Sequence, residues 1–316
     1  MAPITAPRSV AMLRPANGSA ETVRQIAAIM RGFSLEATRL TASDLDALKG
    51  VLTPGAAIYL TAVPHRPANE QIEAAIRTRA AGFEPVPHLA ARSFASIGVL
   101  ENVLARLSAQ AAVRRTLIIA GDRDQPAGPF ANAIDVIESG LLQRHGIAEI
   151  GIAGYPEGHP RITPQALDRA LAAKIEAAEQ TGLAVHIVTQ FAFDARAILA
   201  WIAKLRDQGI EQPVRIGVAG PTSLSTLLRY AQRCGVRASA HGLTRQTGII
   251  KHLIGSSAPD GILRPIAELQ ASGRYGRIVP HFYSFGGAAA TARWAAAAAA
   301  GRIVLHRGEG FGVEPP

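Results

Sequence analysis

Four apolar runs decide the fold: Thr116-Leu117-Ile118-Ile119-Ala120-Gly121, Glu149–Tyr155 (EIGIAGY), Ala184–Phe191 (AVHIVTQF) and Val214–Gly220 (VRIGVAG). Each is rich in Val, Ile and Leu and has the length of a strand buried on both faces. Between them lie the amphipathic stretches Pro129–Arg144, Thr163–Thr181 and Ala195–Gln208, which have the length and apolar spacing of helices. The same alternation extends outward in both directions. Upstream are the runs Phe33–Thr38, Ala56–Val63 and Glu84–Ala90, separated by helical stretches at Ser43–Val51, Asn69–Ala81 and Ser93–Leu107. Downstream are a helix at Ser223–Cys234, a strand at Ile278–Phe285 and a helix at Gly287–Ala300. Ser43, Asn69, Ser93 and Thr163, the last followed by Pro164, read as helix starts. Eight strand–helix units in series predict a (β/α)8 TIM barrel. The rival, an open doubly wound sheet, usually carries a Gly-rich turn after its first strand. Here Glu36-Ala37-Thr38-Arg39 stands there instead.

Composition narrows the classes. The 316 residues are 48% hydrophobic and 18% charged, which excludes a disordered chain and permits one large domain. No run of about 20 apolar residues marks a membrane span, and the first 30 residues lack the apolar core of a secretory signal. A single cysteine, Cys234, excludes an internal disulfide and cysteine-rich zinc modules. We therefore expect a soluble, cytoplasmic chain. The net charge is +9, and 29 of the 33 basic residues are arginines scattered singly or in pairs. Nucleic-acid binders show a basic stripe with aromatics, so the charge points to anionic small molecules. Monomer and homo-oligomer are both open.

The expected domains are an N-terminal arm with a short helix over residues 1–30, a single barrel over 31–307 and a tail over 308–316. Glu21–Met30 reads as a helix that could plug the barrel bottom. The segment 237–276 should add one or two helices before the last strand, and the tail should be extended. Val-Pro-His recurs at 63–65, 86–88 and 279–281, at or near strand ends, and reads as coincidence.

In such barrels the chemistry lies at the C-terminal ends of the strands. Those ends carry Glu36, Thr61 and His65, His88, Gly121-Asp122, Tyr155 to Pro160, Thr189-Gln190-Phe191, Gly217 to Pro221, and His281-Phe282-Tyr283. Glu36 and Asp122 would face each other across the barrel. Two carboxylates in one cavity can divide roles, one as a proton donor and the other as an ionised stabiliser of positive charge. The structural alternative is that each caps a loop or pairs with an arginine. His65, His88 and His281 could converge on a metal, but no His-x-His or Glu-x-x-His pattern supports that. Phe191, Phe193, Tyr230 and Tyr283 could stack on a planar ring or simply pack.

The run Gly154-Tyr155-Pro156-Glu157-Gly158-His159-Pro160 and the run Thr189-Gln190-Phe191-Ala192-Phe193-Asp194 together resemble the methylenetetrahydrofolate reductase family. Gly121-Asp122, His88-Leu89 and His281-Phe282-Tyr283 match in order and spacing across roughly residues 30–300. The resemblance implies a TIM barrel holding FAD, which NAD(P)H reduces before methylenetetrahydrofolate takes its place. It implies that Glu36 is the general acid and that Asp122 stabilises the iminium cation. Gln190 would orient the pterin, with Phe191, Tyr230 and Tyr283 beside it. His88, Gly121, Asp122, Tyr155, His159 and Asp168 match flavin-contacting positions, Thr61 is a weaker match on the second strand, and Lys174 lies one residue from a basic position that meets the flavin phosphates. The sequence departs from the pattern at Ala37-Thr38-Arg39, at the loop 62–67, at Ala120 where an arginine is usual, and at Gly287 where a basic residue is usual. Three functions stay open beside the flavoenzyme: flavin-free hydride transfer, a folate-binding protein without redox activity, and a metal-dependent hydrolase.

Overall fold

The computed structural model describes residues 17–64, 66–234, 256–308 and 310–314. Strands are numbered in chain order: β1 (Ser34–Ala37), β2 (Ala57–Leu60), β3 (Glu84–Ala90), β4 (Arg115–Ile119), β5 (Glu149–Gly154), β6 (Ala184–Thr189) and β7 (Val214–Ala219). Two short strands, β8 (Thr222–Ser223) and β9 (Ser256–Ser257), pair antiparallel outside the barrel. β10 (Ile278–Tyr283) completes the barrel, which closes in the order β1-β10-β7-β6-β5-β4-β3-β2. All eight barrel pairings are parallel. Every expected strand is present, shorter than its apolar run by a few residues at most.

The outer layer consists of α1 (Asn17–Met30), α2 (Ala42–Lys49), α3 (Ala68–Ala80), α4 (Ile97–Ala111), α5 (Ala133–Glu138), α6 (Leu141–Arg144), α7 (Pro164–Gln180) and α8 (Ala195–Asp207). It continues with α9 (Leu224–Arg233), α10 (Asp260–Gln270) and α11 (Ala288–Ala299). No described helix is long and apolar enough to cross a membrane.

Period-two alternation splits the barrel into two cores. Leu35, Ile58, Leu89, Ile118, Ile150, Ile152, Ile187 and Phe282 point outward and join the helices in one large apolar cluster. A separate inner cluster holds Tyr59, Val86, Leu117 and Val188. The remaining inward positions are largely polar, which positions the site described below.

Several expectations need correction. α1 does not plug the barrel. Ile26, Ile29 and Met30 lie in the outer core, where α1 packs on α10, α11 and β10. The stretch 129–144 is two helices, because the Asn132–Asp135 capping box starts α5 late and Gly140, at φ +70°, turns the chain into α6. Three helix starts move: Thr41 caps α2 in a capping box with Asp44, Pro67 precedes α3, and Ser96 caps α4. Thr163 caps α7 as expected. The tail is extended where described, but as one arm of a hairpin. Ile303–Leu305 (β11) and Phe311–Val313 (β12) form an antiparallel hairpin across the expected boundary at 307, and Phe311 is buried in the outer core. In the segment 237–276, residues 237–255 lie outside the described residues, and α10 is one added helix.

Candidate active site

Glu36 sits at the mouth end of β1, on the same inward face as Ser34 two residues earlier. Its Oε2 lies 3.2 Å from His281 Nε2 and 3.5 Å from His88 Nε2. Its Oε1 receives a long hydrogen bond from Thr61 Oγ1 at 3.4 Å. Only 12% of the Glu36 side chain is exposed, while His281 and His88 are buried. Burial would push the carboxyl up, but His88, His281 and Thr61 outweigh it and hold it below the usual carboxylate value. Burial lowers both imidazoles, against the opposing pull of Glu36. The resting arrangement is an ionised carboxylate beside two neutral imidazoles and a hydroxyl.

Tyr283 leaves β10 beside this group and crosses to donate its hydroxyl to the Thr189 carbonyl at 3.1 Å. Gly217 makes that crossing possible, because a Cβ there would meet Thr189 O at 2.4 Å and the Tyr283 ring at 2.8 Å. Burial raises the Tyr283 phenol well above its ordinary value, and the charges of Glu36, Cys234 and Tyr155 act in the same direction. Tyr155 is likewise raised, first by burial and then by Asp122. Glu36 thus acts on Tyr283, Asp122 acts on Tyr155 from the exposed turn after β4, and the two phenols neighbour each other.

The loops after β5 and β6 border a small cleft lined by Tyr155, His159, Gln190, Phe191 and Cys234 among others. Its enclosed volume is about 20 Å³, room for about one water, so a planar ring would lie in the open mouth above it or part its walls. Glu157 ties the two loops together: its Oε1 accepts the N–H groups of Phe193 and Asp194, both at 2.9 Å. Burial outweighs those bonds and raises its carboxyl. Gln190 Oε1 accepts from the Phe191 backbone N–H at 3.0 Å. Phe191 is fully buried and serves as floor. Its ring meets Phe193, Tyr283 and Phe285 edge-on. Tyr230 stacks face to face on Phe285, centroids 4.0 Å apart and planes 11° from parallel.

The structure thus gathers Glu36, Thr61, His88 and Tyr283 in one group and Tyr155, His159, Gln190 and Phe191 in an adjoining one. Gly121 and Asp122 lie at the rim. Asp168 and Lys174 stand apart. Asp168 is paired with Lys204 at 2.5 Å, and half-buried Lys174 donates to the Ala153 carbonyl at 3.3 Å, its pKa lowered by burial to about 8. His65 lies outside the described residues. Among those described, no group of three His, Cys, Asp or Glu is arranged to hold a metal ion.

Sequence reasoning missed Phe285 as the partner of Tyr230, and it missed Ser34, Tyr59, Glu149, His186 and Arg215 inside the barrel. A signal existed for Ser34 and Tyr59: both share inward parity with a residue already singled out, Glu36 or Thr61. Two of the three Val-Pro-His copies deliver the histidines that touch Glu36.

The two sets of residues test a flavin differently. Thr61, His88 and Tyr155 stand at the strand ends around the mouth, which fits the flavin's redox end. Its anionic end finds no cation in the expected places, since Lys174 is turned to a carbonyl and position 120 is alanine.

The profile of a family described as Methylenetetrahydrofolate reductase matches residues 63–252, more than half of the chain. That span includes His88, Asp122, Tyr155, Gln190 and Tyr230 but not Glu36, Thr61, His281 or Tyr283. A 5,10-methylenetetrahydrofolate reductase of Pectobacterium carotovorum subsp. carotovorum is 28% identical over 158 residues, 49% of this chain and 50% of that protein. Methylenetetrahydrofolate reductase 2 of Saccharomyces cerevisiae is 32% identical over 108 residues, 33% of this chain and 17% of that one. Methylenetetrahydrofolate reductase 1 of Schizosaccharomyces pombe is 32% identical over 93 residues, 29% and 15% of the two chains. The chain spans about half the length of the bacterial relative and less of the fungal ones.

Proposed function

The chain belongs to the methylenetetrahydrofolate reductase family, and from that premise we propose that it reduces 5,10-methylenetetrahydrofolate to 5-methyltetrahydrofolate with electrons from NAD(P)H, carried by FAD at the barrel mouth. The observation that carries the reading is Glu36, a nearly buried carboxylate at the mouth bonded to His281 and Thr61, beside the cleft between the β5 and β6 loops. When bound, the flavin supplies the hydride donor that NAD(P)H recharges.

The chain's own residues handle the proton and the positive charge. Opening the imidazolidine ring breaks a C–N bond, and the leaving nitrogen must gain a proton. Glu36 donates it from Oε1, the oxygen not held by His281. The free enzyme carries Glu36 ionised, so the carboxyl takes up a proton as the pterin displaces water and deepens its burial. In the reverse direction, oxidation of the methyl group, the ionised carboxylate is the matching base. Asp122 stabilises the iminium cation formed on opening. Gln190 and the rings of Phe191, Tyr283 and Tyr230 hold the pterin, and a ligand stacking on Tyr230 must first part it from Phe285. Glu157 keeps both cleft walls in register.

Glu36→Gln should nearly abolish the folate half-reaction while leaving NAD(P)H oxidation by an artificial acceptor largely intact, read by stopped-flow on each half separately. Equal loss in both halves would remove the acid role. A second reading, direct hydride transfer from NAD(P)H to the folate without flavin, is favoured by one observation: the expected anchors for the flavin phosphates are engaged elsewhere or absent. A colourless purified protein that still turns over would select it.

A further inference from the structure

Beneath Glu36 three polar side chains, Arg215, Ser34 and His281, stand in one line through the barrel. Arg215 on β7 places Nη1 3.2 Å from Ser34 Oγ and 3.2 Å from the Gly32 carbonyl. Ser34 Oγ lies 2.8 Å from His281 Nδ1, and His281 Nε2 lies 3.2 Å from Glu36 Oε2. Ser34 and His281 are fully buried and sit opposite each other in the β1–β10 register.

Donor accounting gives this line a direction. A guanidinium only donates, so Ser34 Oγ accepts from Arg215. A carboxylate only accepts, so His281 Nε2 must carry a hydrogen to bond Glu36. Burial keeps His281 neutral against the pull of Glu36, and the Arg215 charge adds to the effect. A neutral imidazole protonated at Nε2 has a lone pair at Nδ1, which takes the single hydroxyl proton of Ser34. One tautomer satisfies all three contacts. At the far end, Oε2 of Glu36 is held, whereas Oε1 has only the Thr61 hydroxyl at 3.4 Å, a donor equally close to the Ala37 carbonyl.

We propose that Arg215, Ser34 and His281 form a donor chain rising through the barrel that locks His281 as its Nε2–H tautomer and pins Oε2 of Glu36, leaving Oε1 for proton exchange with the substrate. His281 is then a positioning residue for the acid. The proton-exchange half of this inference rests on the proposed function, whereas the tautomer does not. The other groups facing His281 are the Tyr59 ring from β2, 4.6 Å away, His88 from β3, and Tyr283 from its own strand.

Two-bond proton–nitrogen correlation spectra of the full chain labelled with 15N-histidine test the lock, with His281 assigned by its absence in His281→Gln. The Nε2–H pattern is expected in the wild type across neutral pH, and a mixed or inverted pattern in Ser34→Ala and in Arg215→Met. An Nδ1–H pattern in the wild type, or a pattern that neither substitution moves, overturns the lock. In kinetics, Ser34→Ala should slow the folate half-reaction about tenfold, a fraction of what a general acid contributes, with KM little changed and a displaced pH profile. Arg215→Lys, which keeps a donor, should recover what Arg215→Met loses. Equal slowing of the NAD(P)H half-reaction would reduce the chain to a structural one and overturn the positioning role. A locked tautomer in a protein without folate reductase activity would sink the proton role and the proposed function while leaving the lock standing.

Discussion

Asp122 and Glu149 show how one chemical group, the carboxylate, does two jobs in this barrel. Asp122 is exposed at the rim, and its charge reaches Tyr155. If it stabilises the developing cation, Asp122→Asn should slow the folate half-reaction by about one to three orders of magnitude. A rate unchanged in single-turnover measurements would make it merely a turn residue. Glu149 is half-buried at the start of β5, 2.7 Å from Arg115 Nε and 2.7 Å from His186 Nδ1, and the Tyr59 hydroxyl lies 2.7 Å from His186 Nε2. Burial acts to raise its carboxyl, but His186 and Arg115 prevail and depress it from 4.5 to about 2. A depressed carboxylate stabilises the fold fully above pH 4.5, and that contribution is lost as pH falls from there towards 2. Thermal melts of Glu149→Gln should therefore show a lower Tm at neutral pH and a flatter loss of Tm on acidification than the wild type. Parallel curves would contradict this. Glu36 gives the opposite kind of signal. Its protonated form is needed for reduction, so the folate reduction rate should fall with rising pH.

The elements show which sequence cues hold. The apolar runs of β3 and β5 are recovered to within a residue of their ends, because strands covered on both faces are mostly apolar along their length. Helix starts are less legible, since Thr41 and Ser43, or Ser93 and Ser96, are equally good cap residues and only backbone geometry chooses between them. Helix α4 ends at Ala112, the only described residue other than glycine with positive φ, at +47°. An alanine there carries a steric cost that glycine lacks. Ala112→Gly should raise unfolding stability by about 1 kcal/mol, since the strain relieved exceeds the entropy glycine adds. Urea denaturation reads this directly, and a loss of stability would show that the turn relaxes without strain.

Across the whole molecule, charge and closure matter together. The loops that follow β2 to β5 at the mouth carry Arg66, Arg92, Arg123 and Arg161, on a chain of net charge +9. Arg66 and Arg161 are paired with Glu70 and Asp124, which weakens but does not cancel the field. The kcat/KM for an anionic folate should fall about three- to tenfold between low and high ionic strength, mostly through KM, with a steeper fall for longer polyglutamates. A salt-independent value would place the recruiting charge elsewhere.

The order of strands and helices, the outward-facing core and the resemblance to a reductase family are all written in the chain, because hydrophobic periodicity and short motifs are local properties. The meeting of Glu36 with His88 and His281 is not. Those residues lie 52 and 245 positions from it, and only closure of β1 against β10 brings Ser34, His281 and Glu36 into line. Inward parity is visible residue by residue, but which inward side chains touch depends on the stagger between strands. Stagger is a property of the closed sheet. The same closure turns Lys174 towards a carbonyl and Asp168 towards Lys204, two outcomes that no local pattern encodes.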